Sequence, residues 1–272
     1  MTLGPIAYHW SADRRRDFYA RIADEAPVDQ VYLGAVICSK RAPFHEADLP
    51  EMIERLERTG KRVILSSLAE VMLKRERPHR IGPLMNAYNE VTIQWMAGQG
   101  ATHVCLPTEM PAPAIAVAAQ TARDRGLGVE VQGFGRASLA VSARCYHARA
   151  HGRTKDNCQF ICEDDPDGMP LRTRDDRPIL RVNGIQTLSE SYVDLLPEAA
   201  QLLADGVTHL SLMPQAKDMV AVATVFRDAL DGRLPVDEAN ARLAALSGRA
   251  DLSNGFYHGA AGYRRIDMAA PG

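Results

Sequence analysis

Runs of β-branched and apolar residues alternate, along most of the chain, with stretches whose apolar positions recur every three or four residues. The first kind reads as strands, over 5–9, 30–34, 62–66, 102–107, 128–134, 179–183 and 208–213. The second reads as helices. Ser11 is placed to cap a helix carrying Asp13, Phe18 and Ile22. Asp48 is placed to cap another, with Leu49, Met52, Ile53 and Leu56 on one face at i, i+3, i+4 and i+7. Gly60 and Gly126 stand where helix C-caps are expected, each just ahead of a strand. Further helices are expected over 189–204, 217–230 and 237–246.

Strand–helix alternation implies a mostly parallel sheet covered by helices. The dinucleotide fingerprint G-x-G-x-x-G is missing: the nearest match, from Gly133 and Gly135, has Ser138 where the third glycine belongs. There is no Walker A run either. The reading is therefore an α/β fold of the TIM-like β/α barrel type. No linker interrupts the alternation, so one barrel-like domain over 1–272 is expected, with a cysteine-rich loop at 136–178. The polar, turn-rich part of that loop, 163–178, reads as a loop or small hairpin.

Composition narrows the function mainly by exclusion. In 272 residues, 32 Lys and Arg face 34 Asp and Glu, a net charge of −2, which argues against a large basic surface for nucleic acid or anionic lipid. Hydrophobic residues at 46% supply an ordinary core. The chain start has neither a signal-peptide pattern nor an apolar run long enough to span a membrane, so a cytoplasmic protein is expected. There, clustered cysteines favour metal or redox chemistry over disulfides.

Three of the five cysteines, Cys145, Cys158 and Cys162, fall in one window spaced C-x12-C-x3-C. Cys38 follows the 30–34 strand, and the cluster follows the 128–134 strand. In a barrel, both stretches open on the C-terminal face, where function is built. Four thiolates suit a tetrahedral zinc or an iron–sulfur cluster, and the spacing alone leaves both open. Arg136, Arg144, Arg149, Arg153 and Lys155 surround the window and would offset a negative cluster. His147 and His151, at i and i+4, are better read as solvated loop histidines or outer donors than as ligands. Cys105, inside the apolar THVCLP, reads as a buried core residue.

YLGAVICSKR, SARCYHARAHGRTKDNCQFIC, VNGIQTLS and NGFYH together resemble the collagenase-like peptidase family, and within it the UbiU/UbiV group, from about residue 3 to about residue 263. The resemblance implies an iron–sulfur barrel of oxygen-independent ubiquinone biosynthesis. It would act in a heterodimer with a UbiU-type partner to hydroxylate a ubiquinone precursor, with oxygen from an organic donor such as prephenate. It implies that Cys38, Cys145, Cys158 and Cys162 hold a 4Fe-4S cluster. With all four irons so ligated, electron transfer is the expected role. Against the family, about one β/α unit is missing between Leu73 and Asn86. Either 77–83 supplies a shortened strand, or the barrel is open there.

Tyr88, Glu109, Arg136 and Asn183 stand at expected strand ends and are the candidate substrate-binding residues, with His9 and Asn89 beside them. Arg136 is suited to the carboxylate of a donor. Catalytic residues in the strict sense are not identified. Trp10 and Trp95 read as packing residues, as do Phe256, Tyr257 and Tyr263, the last three with an interface as the alternative. Two further readings remain: a zinc-stabilised scaffold without enzymatic activity, and a peptidase-like hydrolase. The second lacks both H-E-x-x-H and G-x-S-x-G.

Overall fold

The computed structural model describes residues 1–34, 37–66, 78–248 and 251–267. Seven of its strands run parallel around a ring: β1 (Thr2–Leu3), β2 (Gln30–Leu33), β3 (Arg62–Leu65), β4 (His79–Ile81), β5 (Ala101–Cys105), β6 (Gly128–Val141) and β10 (His209–Leu212). The order is β3-β2-β1-β10-β6-β5-β4, every step a parallel ladder. Helices α1 (Ala12–Glu25), α2 (Ala42–Glu46), α3 (Leu49–Arg58), α4 (Glu90–Gly98), α5 (Ala112–Asp124), α8 (Met219–Leu230) and α9 (Val236–Ser247) follow or flank these strands. The fold is thus an α/β barrel-like one, as the alternation of patterns implied. Among the described residues, no ladder joins β3 to β4. The strand found within 77–83 is short but real: β4 pairs with β5. The part of the anticipated deletion that falls on 67–77 lies outside the described residues.

A second sheet grows from the ring. β6 continues past the barrel rim and pairs antiparallel with β9 (Gln186–Asp194), which pairs with β8 (Pro178–Asn183), which pairs with β7 (Met169–Arg172). β11 (Leu252–Ser253) adds to β9 in parallel. The polar segment 163–178 supplies one arm of the β7–β8 hairpin.

Two elements differ from the sequence pattern. The strand expected over 5–9 is irregular, and the barrel strand lies earlier, at Thr2–Leu3. Gly4 N donates to Leu212 O at 2.9 Å, and Pro5 then has no N–H with which to continue the ladder. The helix expected over 189–204 begins instead as strand β9, and only α7 (Ala199–Ala204) at its end is helical. Pro197 disfavours the helical conformation in its predecessor, and the free edge of β6 captures 186–194 by ladder pairing.

The caps also divide. Ser11 Oγ accepts from Arg14 N at 3.4 Å and starts α1, as expected. Asp48 precedes α3 without a side-chain cap, because its carboxylate is taken by Arg15 (2.7 Å) and Arg16 (2.9 Å). Gly60 and Gly126 close their helices in the left-handed region, at φ +81° and +73°.

The main apolar core joins the ring strands to the helices through residues such as Leu3, Leu33, Val104, Val129, Phe134, Phe226 and Leu243. The inside of the ring is partly polar, which the strand patterns did not reveal. Glu130 is buried and accepts from Thr2 Oγ1 (3.0 Å) and the Tyr32 hydroxyl (3.2 Å), and Arg80 donates to that same hydroxyl. Burial pushes the Glu130 carboxyl up.

Burial also holds four histidines neutral. Desolvation, reinforced by neighbouring arginines, lowers His9 to about 4 and His45 to about 3. His103 and His209, with ring centroids 5.0 Å apart, both fall to about 4. Each takes up a proton on unfolding once the pH is below the unfolded value of about 6.5. Their stabilisation is complete above that value and is lost as the pH falls toward 4. Glu130 and Asp194, whose carboxyls burial raises, work the other way but are fewer. Stability in urea should therefore fall by about 2 kcal/mol or more between pH 7 and pH 5. A flat profile over that window would contradict the burial of these rings.

Candidate metal centre

Cys38, Cys145, Cys158 and Cys162 line one recess of about 340 Å³ including its open mouth, together with Lys40, Arg41, Lys155, Phe160, Ile161 and Gly184. All five cysteines of the chain are free thiols. Cys105 is not in the recess; it lies buried on β5, against Glu130.

Local structure explains the convergence. Cys38 stands beyond the C-terminal end of β2, just ahead of a 3-10 turn over Ser39–Arg41. Cys145 stands beyond the end of β6, where it caps α6 (Tyr146–Ala150): Ala148 N donates to its Sγ at 3.4 Å. Cys158 and Cys162 lie on the return loop, and Gln159 and Phe160 between them are both left-handed, at φ 48° and 51°. Two such non-glycine residues in succession are uncommon, and they fold the chain back so that both thiols line the same wall.

The surroundings tie the loop to the barrel. Lys40 Nζ donates to the carbonyls of Lys155 (2.8 Å) and Asp156 (2.9 Å), and Arg153 Nη1 to that of Cys158 (3.2 Å). His147 is fully buried. Gly184 N donates to its Nδ1 at 3.4 Å, which puts the ring proton on Nε2, 2.8 Å from Asp165. His147 therefore braces the recess wall from behind. His151 donates from Nδ1 to the His147 carbonyl, at 3.0 Å.

The basic surroundings differ from the sequence expectation. Lys155 lines the recess and Arg153 holds the Cys158 carbonyl, whereas Arg136 is elsewhere, and Lys40 and Arg41 join the lining. Burial pushes the Cys162 thiol up, and the Arg41 guanidinium beside it pulls the other way. Sequence reasoning passed over Arg41. Its one signal was position, three residues after Cys38 in CSKR.

The donor set can be tested against the groups it was expected to hold. Four thiols in a cation-lined recess match the chemistry of an iron–sulfur cluster or a zinc ion. Among the described residues, no three His, Cys, Asp or Glu side chains are grouped closely enough to share one ion, so the fit rests on the chemistry of the donor set. A tetrahedral zinc needs its sulfurs about 2.3 Å from one centre. Four free thiols beside Lys40, Arg41 and Lys155 are a donor set that fits either group.

The candidate substrate residues separate into two pairs. The Tyr88 hydroxyl donates to the Glu109 carboxylate, both half-exposed or exposed in loops that follow β4 and β5. Burial and that carboxylate push the Tyr88 phenol up to about 12. Arg136 is committed internally. Its Nη2 pairs with Asp167 at 2.8 Å, its Nη1 donates to the carbonyls of Ser189 and Glu190, and the guanidinium lies 4.4 Å over the Tyr192 ring. Those contacts occupy the terminal nitrogens that a donor carboxylate would need. Asn183 Nδ2 donates to Ala7 O (2.9 Å) and Gln186 Oε1 (3.2 Å), fixing the β8–β9 turn. Of their neighbours, Asn89 caps α4, and His9 is packed between Phe44 and Phe160. Trp10 is buried; Trp95 is 62% exposed, so it does not pack in a core. NGFYH is a clamp: Asn254 and His258 both hold Glu198, and Tyr257 is buried, while Tyr263 is exposed.

Residues 68–267 match peptidase family U32, the collagenase-like family, and the chain belongs to it. Among solved structures, the octameric ribulose-1,5-bisphosphate carboxylase/oxygenase of Pyrococcus horikoshii OT3 is matched at 13% identity and a TM-score of 0.28, over 90% of this chain and 62% of that one. The chain thus spans less than two thirds of that protein, and so loose a superposition adds nothing on fold or function. Among the described residues, no helix is long and apolar enough to cross a membrane.

Proposed function

We propose that this member of family U32 is of the UbiV type within the UbiU/UbiV group: the iron–sulfur subunit of an oxygen-independent hydroxylase in ubiquinone biosynthesis. The observation that carries the reading is the recess that gathers Cys38, Cys145, Cys158 and Cys162 from two strand ends and a return loop. These four residues would hold a 4Fe-4S cluster, which supplies one-electron transfer when bound. The chain's own part is to set the surroundings. Phe160 and Ile161 close the recess with apolar surface, Lys40 and Arg153 pin the loop that carries Cys158, and His147 braces Gly184. Lys40, Arg41 and Lys155 supply positive charge against an anionic group.

Tyr88 and Glu109 are the substrate contacts in this reading. With its phenol pushed up, Tyr88 keeps its proton at neutral pH and remains a donor. Arg136 and Asn183 act by holding the β6–β9–β8 sheet in place. The reaction would be shared with a UbiU-type partner in a cytoplasmic heterodimer, with a ubiquinone precursor as substrate and an organic oxygen donor such as prephenate.

Anaerobic incubation of the chain with a UbiU-type protein, a ubiquinone precursor and prephenate tests this. Hydroxylated product should need both chains and should vanish, by at least about 100-fold, when one of the four cysteines is replaced. Full product from the partner alone would refute the role.

A further inference from the structure

A guanidinium cannot lose its charge, so a buried one must find acceptors for its donors. Arg41 is 3% exposed and lines the cysteine recess. Its Nη1 donates to Ala7 O at 2.8 Å and the guanidinium stands beside the Cys162 thiol, while Nη2 is buried with no hydrogen-bond partner among the described residues. Among the described residues, no carboxylate forms an ion pair with it. Asp48 is taken by Arg15 and Arg16, and Glu163 stands 4.0 Å from His9 Nε2. The space beside Nη2 is kept open by Gly184, at φ +64°, where a Cβ would fall 2.6 Å from that nitrogen. An unmatched buried donor on a guanidinium that lines a recess of four thiols is the mark of an anion in the recess.

We infer that Arg41 donates a hydrogen bond from Nη2 to the anionic group held by the four cysteines, and thereby sets how readily that group accepts an electron. The inference rests on the iron–sulfur reading above. Reduction adds one negative charge to the group, so a fixed positive charge in contact with it favours the reduced form and raises the potential. The planar fork keeps Nη1 on Ala7 while Nη2 reaches the recess, a division of labour that the single Nζ of lysine cannot reproduce.

The test compares wild-type protein with Arg41→Gln and Arg41→Lys, each purified anaerobically and titrated with dithionite, which supplies one electron per cluster with no bond made or broken. Iron and acid-labile sulfide are measured on the same samples. Arg41→Gln should load like wild type, yet the equilibrium constant for its reduction should fall about tenfold, a shift of about 59 mV to lower potential. Arg41→Lys should shift less. Should Arg41→Gln fail to fold for want of the Ala7 bond, Gly184→Ala serves instead: it leaves Arg41 in place, crowds Nη2, and should also change the potential. Unchanged potentials in the variants that load overturn the inference. Wild-type protein without iron and sulfide overturns the underlying reading instead.

Discussion

Cys158→Ala should strip the protein of iron, from about four atoms per chain to background. The thiol is half-buried, and its loop is pinned to the rest of the recess by bonds such as those of Lys40 and Arg153. Three cysteines would be left to hold the group. Loss of a structural ligand generally releases or degrades the group it holds, and the buried neighbour His147 is engaged by Gly184 and Asp165. Cys105→Ala is the matching control. Its thiol lies on β5 against Glu130, away from the recess, so iron content should be unchanged and the effect confined to roughly 1 kcal/mol of stability. Equal iron in wild type and Cys158→Ala would remove Cys158 from the ligand set.

Arg136→Ala should destabilise the fold by about 3 kcal/mol, read from urea unfolding. The side chain is 1% exposed and ties four groups together: Asp167, the carbonyls of Ser189 and Glu190, and the Tyr192 ring. Its removal takes a donor from two part-buried carbonyls and leaves Asp167 without its cationic partner. Asp167 itself is partly exposed, which keeps the effect at the lower end of the range for broken buried pairs. A variant of wild-type stability that had lost only its use of the oxygen donor would return Arg136 to the role of substrate ligand.

Both predictions turn on residues that the sequence marked, and they show where a sequence can be read and where it cannot. Strands such as Arg62–Leu65 and helices such as Met219–Leu230 were legible because their hydrophobic period is local. The cysteines were legible because barrel topology sends both 38 and 145 to the same rim. Partnership across the fold was not legible. Residues 186–194 became β9 because the overhanging edge of β6 lies beside them, a fact absent from the local pattern. Asp48 was drawn from its cap by Arg15 and Arg16, more than thirty positions away. Arg136 looked available for a ligand because its acceptor, Asp167, sits in a turn-rich segment with no sequence cue to the pairing. Arg41 was overlooked for the converse reason. Its importance lies in a bond it fails to make, and an unmatched donor is visible only in three dimensions.

Family membership and the recess leave the central claim resting on what the four thiols hold. Metal and sulfide analysis of the wild-type chain, purified without oxygen, tests that claim most directly. The account predicts a brown protein with about four irons and about four acid-labile sulfides per chain. A colourless protein carrying a single zinc and no sulfide would contradict it, and would make the recess a structural staple instead.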